Sequence, residues 1–338
     1  MAARASGNFT LVGPVVAVVL GFVLAEAVLR AGGAARQHLR AYVEDAEGVP
    51  TLAPRATDRA RAPGGARWAL HTVSDGLRAP AAASDAPLVV GDSQVLGMGV
   101  ADDETFAARL GAHNAGVPGY GVPDALRRAD RLLLTGVRSR AVVVVVNQSN
   151  DWDEGMTPVQ ERMRVVGGWL LTRRASPTPW ADAFFGSAAS DVHVLALGAR
   201  LVLPPPPTEG PPVWIAAPES MGPVSAAIAA AIEHFSASHP DIDVVVAYLP
   251  ADLAVAPGRG ADSPFGRHLR EGARLADTTA LDRLRTGLSP SRVFVDLRPA
   301  LADEAHFEPG DYHLSAAGHA AVATALSGVL SAPNGRAR

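Results

Sequence analysis

Apolar residues in this chain gather into short aliphatic runs bounded by polar or glycine-rich turns, and these runs alternate with stretches of helical period. Pro87 to Val90 is such a run, and Ala141 to Val146, AVVVVV, is the purest. A β-branched run of this kind suits a central parallel strand covered on both faces. Ile242 to Leu249 and Val293 to Val295 read as two further strands. Between them, Pro123 to about Leu134, Val224 to Phe235 and Thr278 to Leu288 read as helices, and Asp102-Asp103-Glu104 puts acid at the start of a short helix reaching about Leu110. Ser315 can cap a last alanine-rich helix ending near Leu330. Strands alternating with helices predict an α/β fold, three layers deep, around a parallel sheet with right-handed crossovers.

Three regions depart from that rhythm. Phe9 to Leu29 is almost wholly apolar until Glu26, and about 20 residues at helical rise cross a bilayer core. It is expected to be a transmembrane anchor over residues 1–30, with a cleaved signal peptide or a buried helix as alternatives. The run is long for a signal peptide, and AEAVLRAGG offers a poor cleavage site. Arg4 precedes the run while Arg30, Arg36 and Arg40 follow it, so charge alone would keep the body in the cytoplasm. Residues 31–72, dense in Ala, Arg, Pro and Gly, read as a linker or irregular outer layer. Residues 152–218 read as an insertion bordering the site, with a helix at VQERMRVVGGWLL, an apolar stretch VHVLALGARLVL and an extended proline run from Pro204 to Pro207.

Composition narrows the function. Hydrophobic residues make up 48% and aromatics only 5%, so the core is aliphatic. A net charge of -4 without a Lys/Arg cluster argues against nucleic acid as a partner. There are no cysteines, which excludes disulfides and thiolate-bound metal. The histidines show no metal-binding spacing and no dinucleotide or P-loop glycine pattern follows the first strand, so neither a metal nor a cofactor is expected.

The chemistry gathers at strand ends. Gly91-Asp92-Ser93 follows the Pro87 run, which puts Ser93 at the carboxyl end of a strand, where open α/β sheets bind ligands. Ser93 is thus a candidate nucleophile, or else Asp92 or Ser93 merely caps the next helix. The loop HNAGVPGYG spans 113–121, and Asn147-Gln148-Ser149-Asn150-Asp151 ends the AVVVVV strand. GDYHLSAAGH begins at 310. These four segments, in this order, resemble the SGNH, or GDSL-like, hydrolase and acyltransferase superfamily over roughly Val73 to Leu330. The run Ala25 to Arg30, Ala-Glu-x-x-Leu-Arg, is similar to the amino terminus of membrane-anchored bacterial members.

The resemblance implies a three-layer α/β/α, flavodoxin-like hydrolase domain with about five parallel strands over 73–332, and assigns roles. Ser93 would be the nucleophile, His313 the base that takes its proton, and Asp311 the carboxylate that orients the imidazole. The backbone N–H groups of Ser93 and Gly119 and the side-chain amide of Asn150 would form the oxyanion hole. Rivals exist at several positions. Asp303-Glu304-Ala305-His306 fits the family's Asp-x-x-His spacing literally, whereas Asp311 and His313 are one residue apart; the LSAAGH continuation favours His313. Gly116 competes with Gly119, where it would instead permit the turn, and Asn147 competes with Asn150. Asp92 is expected to hold the nucleophile loop and His319 to pack on the final helix. Gln94 stands where the family often has a hydrophobic residue or Thr; it either alters the pocket or faces solvent.

The function this implies is acyl transfer through a Ser93 acyl-enzyme. It would be hydrolysis of an ester, or transfer of an acetyl or other acyl group to an envelope or extracellular substrate such as a glycan. By family habit the anchored domain would lie outside the cytoplasm, against the charge count, and a transferase would need a membrane partner to deliver acyl groups. The alternative is a non-catalytic carbohydrate-binding or envelope assembly protein on the same fold.

Overall fold

The computed structural model describes residues 9–31, 39–62, 67–173, 212–216, 221–269 and 279–331, with four isolated positions between 174 and 211. VHVLALGARLVL and Pro204 to Pro207 lie outside the described residues, apart from Leu195.

Eleven strands are described. Five form a parallel sheet: β5 (Leu88–Val90), β6 (His113–Asn114), β7 (Ala141–Asn147), β10 (Asp243–Leu249) and β11 (Val293–Asp296). Their spatial order is β11-β10-β7-β5-β6. Counted in chain order the sheet reads 2-1-3-4-5, so the topological switch falls between β5 and β7, where doubly wound sheets place their ligands. The AVVVVV run is the middle strand, buried along its whole length.

Alternation along that strand divides the core. Val142, Val144 and Val146 pack with Leu126, Ile228 and Leu284 from helices Val122–Leu134, Met221–Ser238 and Thr279–Gly287. Val143 and Val145 pack on the opposite face with Phe106, Val322 and Leu326, from helices Phe106–Arg109 and Ala316–Ser331. The last helix starts where expected, with the Ser315 hydroxyl accepting from the Gly318 N–H at 3.2 Å.

Outside the sheet the pattern was harder to read. Between 42 and 71, β1 (Tyr42–Glu44) pairs with β2 (Pro50–Leu52) and β3 (Thr57–Arg61) with β4 (Arg67–His71), both antiparallel, and Trp68 and Leu70 are buried. The helix expected over VQERMRVVGGWLL stops at Arg162. Beyond it β8 (Met163–Val166) turns through Gly167-Gly168 into β9 (Trp169–Thr172). Both glycines have positive φ, +57° and +88°, as a two-residue hairpin turn requires.

Helix Phe9–Ala31 exposes its described apolar side chains, Val18 at 73% and Leu24 at 66% among them. Among the described residues no helix is long and apolar enough to cross a membrane. The structure therefore does not support the expected transmembrane segment.

Candidate functional site

Three of the candidate loops leave the carboxyl ends of β5, β6 and β7, and the segment from Gly310 lies farther along the connection from β11 to the last helix. After β5 the chain turns through Gly91-Asp92 into the one-turn helix Ser93–Leu96. Asp92 caps it, accepting from the Gln94 N–H at 2.9 Å, and its second oxygen accepts from the Asn147 side-chain amide at 2.7 Å. Asp92 is thus the structural member of the loop, and Asn147 is committed to it.

Ser93 and His313, 220 residues apart in sequence, meet at Oγ to Nε2, 2.9 Å. His313 Nδ1 lies 2.9 Å from Asp311 Oδ1. Burial would raise the Asp311 carboxyl, but hydrogen bonds from His313 and from the Tyr312 and His313 backbone N–H groups outweigh it and hold the pKa below the ordinary range. Asp311 is therefore ionised near neutrality and can only accept, which places the imidazole hydrogen on Nδ1. That tautomer leaves Nε2 as an acceptor for the Ser93 hydroxyl, the arrangement a base needs. Ser93 is 6% and His313 7% exposed, so the line is largely shielded from solvent.

Asp303 and His306 are not part of it. They close a 3₁₀ turn on each other's backbone, and the His306 carbonyl accepts from the Ser315 N–H. His319 is fully buried and stacked on Phe106, its Nδ1 accepting from the Phe106 N–H at 3.2 Å. Burial pushes its pKa down to about 3, with the charges of Arg78, Arg109 and His313 adding, so it stays neutral.

The loop after β6 follows from its sequence. Val117-Pro118-Gly119-Tyr120 closes with the Tyr120 N–H on the Val117 carbonyl, and Gly119 has φ +79°. Proline at the second position and a positive-φ glycine at the third make a type II turn, a conformation most other residues resist at Gly119. The Arg162 guanidinium donates to the Gly119 carbonyl at 2.7 Å. Gly116 sits elsewhere: a Cβ there would lie 2.2 Å from the Leu96 nitrogen, so its role is close packing against helix Ser93–Leu96. Asn114 braces the same helix, donating to the Val95 carbonyl and accepting from the Gly116 N–H.

Asn150 contrasts with Asn147. It starts helix Asp151–Glu154 without a side-chain cap, and its Oδ1 is buried with no hydrogen-bond partner among the described residues. Among the described residues no hydrogen bond ties the Asn150 side chain to the rest of the fold.

Two arginines that hold the site were not singled out from the sequence, and Gln94 was singled out with another role. Arg78, 1% exposed, donates to the carbonyls of Leu96, Gly97 and Val100 at the end of the nucleophile helix. Arg259, 5% exposed, donates to those of Glu304, Phe307, Glu308 and Asp311 in the histidine loop. Gln94, read as a pocket or solvent-facing amide, is buried and bonds to that loop from Ser93's side. Arginine in an Ala/Arg/Pro-rich stretch carries no signal of burial, and partners that are backbone carbonyls leave no pattern in sequence. A chain of rings, Trp214 to Phe265 to Tyr312 to His313 at 5.5, 4.9 and 4.4 Å, connects segment 212–216 to the imidazole. Among the described residues no cluster of His, Asp and Glu could hold a metal ion.

Carboxylates crowd the nearby loop. Burial, with the charges of Asp92 and Glu154, raises Asp151 well above the usual range. Glu154 pairs with Arg162 at 3.2 Å, and its Oε2 is buried without a partner among the described residues. Burial pushes its pKa up to about 7; Asp92 and Asp124 add to this and Arg162 opposes it. With the folded value above the ordinary 4.5, the native state holds this proton more tightly, so ionisation removes stability as pH rises from about 4.5 to about 7. Glu154→Gln, which cannot ionise, is expected to gain Tm relative to wild type across that interval. Thermal unfolding on both sides of it measures this, and a pH-independent difference would contradict it.

No protein-family model matches the chain, and no curated protein matches it. Among solved structures, a Streptococcus pneumonia protein provisionally assigned as a platelet activating factor is similar at 14% identity. The match covers 73% of this chain and 85% of that one, with TM-score 0.41. A carbohydrate esterase family 2 enzyme with a carbohydrate-binding domain, from Corynascus thermopiles (Myceliophthora fergusii), is similar at 14% identity over 84% of this chain and 80% of its own, TM-score 0.38. Likeness at this level carries no functional argument, and the reading of the site rests on its geometry.

Proposed function

We propose that the chain is a serine-dependent acyl-transfer enzyme of the SGNH type, an ester hydrolase or O-acetyltransferase working through a Ser93 acyl-enzyme. The observation that carries this is the hydrogen-bonded line Ser93 Oγ, His313 Nε2, His313 Nδ1, Asp311 Oδ1 at the switch point of the sheet. A serine hydroxyl is a weak nucleophile until an adjacent base takes its proton. His313 Nε2 accepts that proton as Oγ bonds to the substrate carbonyl carbon, and Asp311 stabilises the imidazolium. The carbonyl oxygen, now negative, is received by the N–H groups of Ser93 and Gly119 and by the Asn150 amide. Collapse expels the alcohol, which takes its proton from Nε2. Water or a sugar hydroxyl then attacks the acyl-serine, giving its proton to Nε2, and Ser93 regains that proton as it leaves. Hydrolase and transferase share the first half of this sequence and differ in the acceptor.

A fluorophosphonate probe tests the activation of Ser93 without knowledge of the substrate. The expected result is a single adduct at Ser93, mapped by mass spectrometry and absent from Ser93→Ala and His313→Ala. A folded wild-type chain that resists labelling would contradict the reading.

The apolar run Phe9 to Leu29 in the sequence supports the further proposal of a membrane anchor that keeps the catalytic domain on the extracytoplasmic side. The full chain is then expected in the membrane fraction of cells and a chain lacking residues 1–38 in the soluble fraction; equal partitioning of the two would remove the anchor.

A further inference from the structure

The Ser93–His313 bond spans two elements that arrive from opposite ends of the chain, so something must set their register. Asp311 fixes the rotation of the imidazole but lies on the same loop, and Arg259 grips carbonyls from Glu304 to Asp311, all upstream of the histidine. Gln94 sits on the other side of the gap, next to Ser93 and 2% exposed. Its Nε2 donates to the Tyr312 carbonyl at 3.0 Å, and its Oε1 accepts from the Leu314 N–H at 3.0 Å. One amide thus takes hold of the chain immediately before and immediately after His313. Its own backbone is fixed by the Asp92 cap.

We infer that Gln94 is a positioning residue that holds His313 in register with Ser93 through the peptide groups flanking the imidazole, and that both ends of its amide are required. This rests on the proposed roles of Ser93 and His313. The chemistry is selective. An apolar side chain of similar size leaves a buried carbonyl and a buried N–H without partners. A glutamate keeps the acceptor for Leu314 but, when ionised, turns a second oxygen against the Tyr312 carbonyl; protonated, it regains a donor there.

The test compares Gln94→Met and Gln94→Glu with wild type and Ser93→Ala in the full chain. Fluorophosphonate labelling rate, and kcat and KM on p-nitrophenyl acetate, are followed across pH below each variant's Tm. Misplacement of a catalytic group by a fraction of an ångström to an ångström predicts labelling and kcat on the order of tenfold to a hundredfold lower in Gln94→Met, with KM little changed. Gln94→Glu is expected to be as slow at alkaline pH and to recover relative to wild type toward acid pH, while the ratio of Gln94→Met to wild type stays flat. A merely structural glutamine would lower Tm without that pH-dependent recovery. If both variants label like wild type while Ser93→Ala does not label, or if Gln94→Glu shows no recovery, this inference is overturned and the Ser93 reading stands. If Ser93→Ala retains hydrolysis, the reading itself falls and the inference with it. Should Gln94→Met fail to fold, Gln94→Glu decides alone, since it preserves size and one hydrogen bond.

Discussion

Ser93→Ala and His313→Ala are each expected to lower ester turnover by on the order of a million-fold, with little change in substrate binding, and the double variant is expected to be no worse than either alone. The reason is that the two groups act as one device. With Nε2 accepting from Oγ across 2.9 Å, the serine without its base keeps its proton, and the base without the serine has nothing to activate. Ser93→Ala removes a single hydroxyl, whereas His313→Ala removes a buried ring stacked on Tyr312, so thermal unfolding of each variant accompanies the assay. Purified wild type, single and double variants assayed on one activated acetyl ester give the answer. Losses that multiply in the double variant would mean that Ser93 and His313 act separately, and the acyl-enzyme proposal would not survive that.

Asn150→Ala is the next largest expected effect, roughly a hundred- to a thousandfold in kcat with KM nearly unchanged, the loss that follows removal of one oxyanion donor. The contrast with Asn147 gives this its force. Asn147 is consumed by Asp92 and by the Ser149 N–H, so its loss should disturb the nucleophile loop and lower stability. Asn150 caps nothing with its side chain, so Asn150→Ala should retain the Tm of wild type. Near-normal turnover in Asn150→Ala would remove that residue from the oxyanion hole, leaving the Ser93 and Gly119 N–H groups to act there alone.

How much of this could be read from the chain depends on what kind of partner each residue has. The sheet was legible because strands buried on both faces become uninterrupted aliphatic runs, and β5, β7, β10 and β11 all lie where those runs are. The hairpins were not. Strands of three to five residues do not accumulate a period, and in 159–172 an amphipathic spacing masked the Gly167-Gly168 turn that contradicts a helix. The Ser93, His313 and Asp311 line was legible because side chains meet side chains within recognisable motifs, and the structure brings the three within hydrogen-bond distance of one another in the order Ser93 to His313 to Asp311. Gln94, Arg78, Arg162 and Arg259 were not, since each addresses main-chain atoms of a distant loop, which are the same whatever residue supplies them.

That last property bears on how such a site can change. Three guanidiniums, those of Arg78, Arg162 and Arg259, clasp the loops of Ser93, Gly119 and His313 by their peptide oxygens. Every amino acid brings that oxygen, so the clasp is indifferent to the side chains it carries. Under the proposed function, residues facing the substrate can therefore be exchanged one by one, reshaping which acyl group or acceptor is admitted, while the geometry of bond making is inherited intact.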